Sequence, residues 1–198
     1  MSPDLILALF GFVAIMCFTP GPNNLMLMAS GTNFGYRPTL PHLAGVVLGF
    51  SLMVVLVGLG LMAVFARIPE LRTVLKAVSI AYLLYLAWKI ARAAPPDAET
   101  ARTARPLSFL QASAFQWLNP KGWTMALTGI TAYAPDQSLW AVAVVSLAFL
   151  VVNCFSGSMW VLIGQQIRRL LTNPGRLALF NGVMAALLVA TLIPVLFT

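Results

Sequence analysis

The sequence predicts an all-α membrane protein with six transmembrane helices arranged as two inverted three-helix repeats, helices one and four being broken. The chain is 60% hydrophobic and only 9% charged, whereas a soluble domain carries about 25% charged residues. Six apolar stretches reach the length of about 20 residues that a membrane-crossing helix needs. Polar residues and prolines interrupt the first and the fourth stretch at similar depths.

The six stretches are joined by short polar or proline-bearing connections. They cover approximately Asp4–Ser30, Leu40–Phe65, Leu71–Ala91, Phe109–Tyr133, Leu139–Gly164 and Leu177–Phe197. No basic residue precedes the first stretch, which is therefore expected to stay as a helix rather than to be cleaved as a signal peptide. Only the connection before the fourth stretch has linker composition. It divides one transmembrane domain, residues 1–198, into a first repeat (1–93), a cytoplasmic linker (94–106) and a second repeat (107–198).

The cations of the connections predict the orientation. One side receives Arg37, Lys89, Arg92, Arg102, Arg105, Arg168, Arg169 and Arg176, and the other receives Arg67, Arg72 and Lys76. Because cytoplasmic loops of membrane proteins are enriched in Lys and Arg, the first set is expected in the cytoplasm and both termini outside. The basic residues that produce the net charge of +7 would then lie mostly in cytoplasmic connections, close to anionic lipid of the bilayer. Nucleic-acid binding is not expected, since no aromatic and basic platform accompanies the charge.

The first break contains Pro20-Gly21-Pro22-Asn23-Asn24. The two prolines remove backbone donors and disfavour regular helix. Unpaired backbone groups at membrane depth are tolerated only where protein or a water-filled cavity covers them. The two asparagines are expected to cap the second half-helix, whose positive end favours a carboxylate. The alternative is a packing kink without a ligand.

The second break contains Asn119, Pro120 and Lys121. A lysine inside an apolar segment usually marks a pathway, an ion pair or a relay, although its side chain could instead snorkel to the interface. Three helices in each half make the second half run in the opposite sense to the first. Broken helices at matching positions of inverted halves predict a substrate site near the midplane of the membrane.

Other polar residues of the apolar segments allow two interpretations. Gln116, Asn153 and Asn181 could line a cavity or form hydrogen bonds between helices. The small-residue face that runs from Gly45 to Gly49 predicts helix packing, within the chain or in a homodimer. The only histidine, His42, is interpreted as an interfacial residue without a special role.

Several function classes are disfavoured. The two cysteines, Cys17 and Cys154, are expected to be free buried thiols that behave as small hydrophobes. No Asp or Glu falls in the middle of a stretch, which argues against a metal transporter and against a bound metal. Ser156 lacks a base, and no phosphate-binding motif is present. An enzyme and a cofactor are therefore not expected.

The motifs together resemble the lysine-exporter (LysE) superfamily, and within it the homoserine/threonine-resistance (RhtB) branch. The matching segments are Thr19-Pro20-Gly21-Pro22-Asn23-Asn24, Gly35-Tyr36-Arg37, Gly45-Val46-Val47-Leu48-Gly49, Ala81-Tyr82-Leu83-Leu84-Tyr85-Leu86-Ala87-Trp88-Lys89 and Phe115-Gln116-Trp117-Leu118-Asn119-Pro120-Lys121. The resemblance spans about residues 10–125, and the last third agrees only in hydropathy. Pro38 and Pro41 depart from the pattern and leave the start of helix two undefined.

The resemblance implies a multi-pass exporter of small amino acids or their derivatives in the bacterial inner membrane, driven by the proton gradient. The cargo would be of the threonine/homoserine, cysteine/O-acetylserine or leucine type. Carried over, the site positions would be Pro20, Gly21, Pro22, Asn23, Asn119, Pro120 and Lys121, to which the residues themselves add Asn24, Gln116 and Asn153. Two alternatives remain: an exporter of another small solute or a metal ion, and a non-transporting membrane subunit.

Overall fold

The computed structural model describes residues 1–61, 63, 67–68, 70–93, 105–136, 138–171 and 173–196, and this part of the chain is built from α-helices. The helices are α1 (Pro3–Phe18), α2 (Pro22–Phe34), α3 (Tyr36–Gly58), α4 (Glu70–Ala91), α5 (Phe109–Gln116), α6 (Pro120–Tyr133), α7 (Leu139–Leu170), α8 (Pro174–Ala190) and the short α9 (Ile193–Leu196). The predicted all-α class is confirmed over these residues. Most of the predicted linker, residues 94–104, lies outside the described residues.

Among the described residues, three helices are long and apolar enough to cross a membrane: α3, residues 73–91 of α4, and α7. Helices α1 and α2 together would make a fourth span, and their axes meet at a bend of 54°. Helix α8, with 17 residues, is apolar but shorter. The structure therefore supports a helical membrane protein, and the count of six spans stays a prediction.

Both predicted helix breaks are present. Helix α1 ends at Phe18 and α2 begins at Pro22, while α5 ends at Gln116 and α6 begins at Pro120. Each second half starts with proline at its first position, where the missing N–H costs no intrahelical hydrogen bond and the fixed φ suits a helix. The prolines that stop one helix thus start the next one.

Helix α3 begins one turn earlier than the start expected at Leu40. It follows Gly35, whose φ of 85° separates α2 from α3. Pro38 falls in the first turn, where no intrahelical N–H bond is needed, and Pro41 lies inside the helix. Helix α7 likewise runs past the expected end at Gly164 as far as Leu170. For α3 and α7 the prediction therefore covered the apolar part of the helix and missed a more polar part at one end.

Glycines allow helix backbones to touch at two crossings. A Cβ atom on Gly31 of α2 would overlap the backbone of Val161 in α7, and one on Gly164 would overlap Met28. The face from Gly45 to Gly49 packs in the same way against α5. This small-residue face is therefore used for packing within the chain, which was one of its two predicted uses.

Hydrogen bonds join the helix ends on both sides of the bundle. Asn181 of α8 donates to the carbonyl oxygen of Ala93, after α4, at 2.7 Å and pairs with Asn33 of α2 at 3.1 Å. At the other side, the hydroxyl of Tyr133 donates to the carbonyl oxygen of Ala8 at 3.3 Å. The C-terminal ends of α2 and α4 therefore lie close to the N-terminal half of α8, and the orientation expected from the loop charges stays a prediction.

Candidate functional site

The two helix breaks meet at a small cavity in the middle of the bundle. Its lining consists of Met16, Cys17, Gly21, Pro22, Asn23, Asn24, Phe50, Asn119, Lys121, Gly122, Met125 and Asn153. Seven of the ten predicted site residues are among them. The volume that the centre of a water molecule can occupy in this cavity is about 20 Å³, which is room for roughly one water molecule. A larger ligand needs the cavity to widen.

Side chains satisfy the carbonyl groups that α1 leaves at its C-terminal end. The Asn24 amide donates to the carbonyl oxygens of Cys17 at 2.7 Å and of Thr19 at 2.9 Å. The buried hydroxyl of Ser156 donates to the same Cys17 oxygen at 2.7 Å. Asn24 was predicted to cap α2 and instead points back to α1. The N-cap of α2 is Gly21, which provides no side-chain hydrogen bond.

Lys121 completes this cap from the second break. Its ammonium group donates to the carbonyl and hydroxyl oxygens of Thr19, each at 2.8 Å, and to the carbonyl oxygen of Pro20 at 3.4 Å. Gly21 leaves room for the lysine, because a Cβ atom there would lie 2.7 Å from Cδ of Lys121. The lysine therefore binds oxygens at the first break, and its predicted location away from the membrane interface stays a prediction.

Asn23 and Gln116 form a second link between the breaks. The Asn23 amide nitrogen donates to Oε1 of Gln116 at 2.8 Å, and Nε2 of Gln116 donates to Oδ1 of Asn23 at 3.2 Å. Gln116 is fully buried and also donates to the carbonyl oxygen of Ala112 at 2.8 Å. Both predicted site residues thus have their amides occupied, and neither caps a helix.

Two asparagines of the lining lack such partners. Asn119 is 2% exposed, its Oδ1 has no hydrogen-bond partner among the described residues, and it forms no side-chain cap on α6. Asn153 of α7 lines the same cavity, and no hydrogen bond joins its side chain to another residue in the described part of the chain. Buried amides are costly without partners, so these two groups are available to a ligand.

The backbone adds donors at the same cavity. In α2 the first helical hydrogen bond is donated by the Leu25 amide to Gly21, and in α6 by the Trp123 amide to Asn119. The amides before them, in the first turn of each helix, have no intrahelical acceptor. Because neither N-cap supplies a side-chain acceptor, two uncapped helix N-termini, one from each half of the chain, face one cavity.

The remaining predicted residues lie outside the lining. Pro20 is exposed in the first break, and Pro120 begins α6. Asn181 bonds between helices, which was the alternative to a cavity role. His42 was expected at the interface but is 2% exposed within α3, and neither ring nitrogen has a hydrogen-bond partner in the described part of the chain. Cys154 is exposed, so the expected burial of both thiols is wrong for this one.

The apolar part of the lining could not be predicted from the sequence. Met16, Phe50 and Met125 belong to or pack against the main core cluster, and their residue types do not distinguish a cavity wall from ordinary packing. Ser156 was considered only as a nucleophile without a base. Its hydrogen bond to α1 spans 139 residues, and no local pattern encodes such a pairing.

Comparison with known proteins identifies the family of the chain. The family model described as LysE type translocator matches residues 14–193, which includes the last third of the chain, where the recognisable motifs are absent. The chain is 36% identical to the cysteine/O-acetylserine efflux protein of Escherichia coli (strain K12) over 195 residues, covering 96% of each chain. It has the same identity and coverage with the proteins of that name from Shigella sonnei and Shigella flexneri. No solved structure matches significantly.

Proposed function

This chain belongs to the LysE type translocator family, and we propose that it exports small amino acids or derivatives such as cysteine and O-acetylserine. It is a membrane transporter of amino-acid type and not an enzyme. The proposed location is the bacterial inner membrane, which the chain would cross several times. The cargo would move through this transmembrane domain out of the cytoplasm. Threonine, homoserine and leucine are the other cargoes of suitable size.

One observation carries the proposal: the uncapped N-termini of α2 and α6 face a single cavity. An α-carboxylate bound there would accept hydrogen bonds from the first-turn amides of both helices. The charge of Lys121 lies beside this position and adds to the positive potential. In this assignment the cargo binds the backbone at Asn23 and Asn24, because their side chains already have partners.

The ammonium group of the cargo needs an acceptor inside the same cavity. The carbonyl oxygens freed at the first break already bind Asn24, Ser156 and Lys121. Oδ1 of Asn119 is buried and unpartnered, so it is the proposed acceptor. Zwitterion recognition then uses one amide side chain and two helix N-termini.

The proposed mechanism is alternating access by two inverted three-helix repeats, residues 1–93 and 107–198. Support comes from the contacts between helices. Helices α1 and α2 contact α7, and their counterparts in the second repeat, α5 and α6, contact α3. In addition α3 contacts α7, and α4 contacts α8. This pattern is expected when a two-fold axis exchanges the repeats. The cavity has room for about one water molecule. We therefore propose that this arrangement is closed and that the cavity opens to one side of the membrane at a time. The driving force is proposed to be the proton gradient.

A sidedness experiment tests the six-span topology. Single cysteines would replace Arg105, before α5, and Asp136, after α6, in a background lacking Cys17 and Cys154. Six spans predict that a membrane-impermeant thiol reagent labels position 136 from outside intact cells and position 105 only from the cytoplasmic face. Labelling of both from the same side would contradict the topology.

Transport is tested with everted vesicles, in which an exporter takes up cargo. Labelled cysteine, threonine and leucine should accumulate in vesicles containing the wild-type chain, and Asn119→Ala and Lys121→Ala should each lower the initial rate. Gln166→Ala on exposed α7 surface and Lys89→Ala at the exposed end of α4 are matched controls. Unchanged uptake in both site variants would reject the site, and no uptake of any amino acid by the wild type would reject the function.

A further inference from the structure

Part of the cavity lining is apolar and rich in sulfur. Met16, Cys17, Phe50 and Met125 contribute to it. The Phe50 ring packs edge-on against Phe149, with ring centroids 5.2 Å apart, which holds this part of the wall in position. The two methionines are unbranched and can change rotamer to fill or vacate space. The wall can therefore widen locally for a short side chain.

Asn153 lies on the face of α7 that points to this wall. Phe149, one turn before it, contacts Phe50. Ser156, nearly one turn after it, donates to the Cys17 carbonyl oxygen. The Asn153 amide is 8% exposed, lines the cavity, and has no hydrogen-bond partner in the described residues. It brings one donor and one acceptor next to an otherwise apolar surface.

Charge in the cavity limits what can bind beside Asn153. Lys121 is the one charged residue among the described residues that line it, and its ammonium group is bound to the first break. The lining contains no carboxylate that could pair with a cation. A cationic side chain would lose its hydration without gaining a counter-ion, which is strongly unfavourable.

We propose that Asn153 selects the cargo by its side chain. The wall of Met16, Cys17 and Met125 accepts a short uncharged side chain, and the Asn153 amide forms a hydrogen bond with a polar atom of that side chain, such as a hydroxyl or ester oxygen. Lysine and arginine are excluded. The inference rests on the proposed function, because it takes the carboxylate and the ammonium group of the cargo to be bound at the two breaks.

The test compares two cargoes whose side chains differ in polarity, labelled threonine and labelled leucine, in everted vesicles. In Asn153→Leu the ratio of threonine to leucine initial rates should fall about 3- to 10-fold, the effect of one neutral hydrogen bond. Asn153→Ser keeps a hydrogen-bonding group and should stay within about twofold of the wild-type ratio. Met125→Ala removes part of the apolar wall and leaves more space beside it. This variant should raise the initial rate of leucine uptake relative to that of threonine.

The outcomes separate this inference from the proposed function. No amino-acid uptake by the wild type would reject the function itself. Uptake of threonine with an unchanged ratio in Asn153→Leu would overturn the role of Asn153 alone, and wild-type uptake of lysine at the threonine rate would overturn the exclusion of cationic cargoes. If Asn153→Leu does not reach the membrane, Asn153→Ala removes the same amide with less bulk, and its ratio decides.

Discussion

The ammonium nitrogen of Lys121 lies 2.8 Å from both the carbonyl oxygen and the hydroxyl oxygen of Thr19, across 102 residues of sequence. This contact joins the break of the second half of the chain to the break of the first. A charged donor on a backbone carbonyl forms a stronger hydrogen bond than a neutral one. Any motion that separates the two breaks has to release it.

Lys121→Met is expected to destabilise the protein by about 1.5–3 kcal/mol, the range for hydrogen bonds to charged groups. It leaves the Pro20 carbonyl without a side-chain donor and the Thr19 carbonyl with only Asn24. Thermal unfolding in detergent measures the loss. Lys89→Met, at an exposed position of α4, is the control. Equal melting temperatures for the two variants would show that the contact contributes nothing to stability.

Gly21→Ala is expected to act through Lys121 and not through the backbone. Gly21 has a φ of −172°, an extended conformation that alanine adopts freely, but the new Cβ would displace the lysine side chain. The melting temperature should fall in the wild-type background and change little in Lys121→Met, a non-additivity that a double-mutant cycle detects. Gly11→Ala, where nothing lies within 4 Å, is the control. Additive effects would rule out this explanation.

Gln116→Leu is expected to lower stability by about 1–3 kcal/mol, because it leaves the partly buried Asn23 amide without its partner. The double variant with Asn23→Leu should cost less than the sum of the two single changes, since both partners of the bond are then absent. Urea unfolding monitored by circular dichroism provides the free energies. Gln166→Leu tests the same substitution on an exposed position and should be neutral.

Gly164→Ala is expected to be the most damaging of these changes. Its Cβ would overlap the backbone of Met28, and backbone cannot move aside as a flexible side chain can, so α2 and α7 must separate. Recovery of folded protein from membranes should drop several-fold. Gly182→Ala, on an open face of α8 with nothing within 4 Å, should be recovered normally. Normal recovery of both would contradict the close helix crossing.

His42→Leu is expected to raise the melting temperature. The imidazole is 2% exposed and neither ring nitrogen has a partner, and a buried polar group without a hydrogen bond costs about 1–3 kcal/mol. Leucine has a similar volume and no polar atom. His42→Gln keeps the buried polarity and serves as the comparison. A lower melting temperature for the leucine variant would show that the imidazole has a partner, such as a bound water.

Much of the architecture could be predicted from local sequence. The breaks at Pro22 and Pro120 follow from proline chemistry, since the residue lacks an N–H wherever it occurs. The start of α5 at Phe109 and the end of α6 at Tyr133 were predicted because the apolar run begins and stops there. The start of α3 was not, because Pro38 is compatible with a first turn as well as with a loop.

The sequence by itself determined that this chain is a helical membrane protein with two broken segments, because length, hydropathy and proline act locally. Only the tertiary structure decided which groups satisfy the backbone at those breaks. Asn24 and Lys121 bind the end of α1, Asn23 pairs with Gln116, and Asn119 and Asn153 remain available. An amide or ammonium group can form hydrogen bonds with many acceptors of the same chemical type. Which one it reaches depends on how segments about a hundred residues apart pack together.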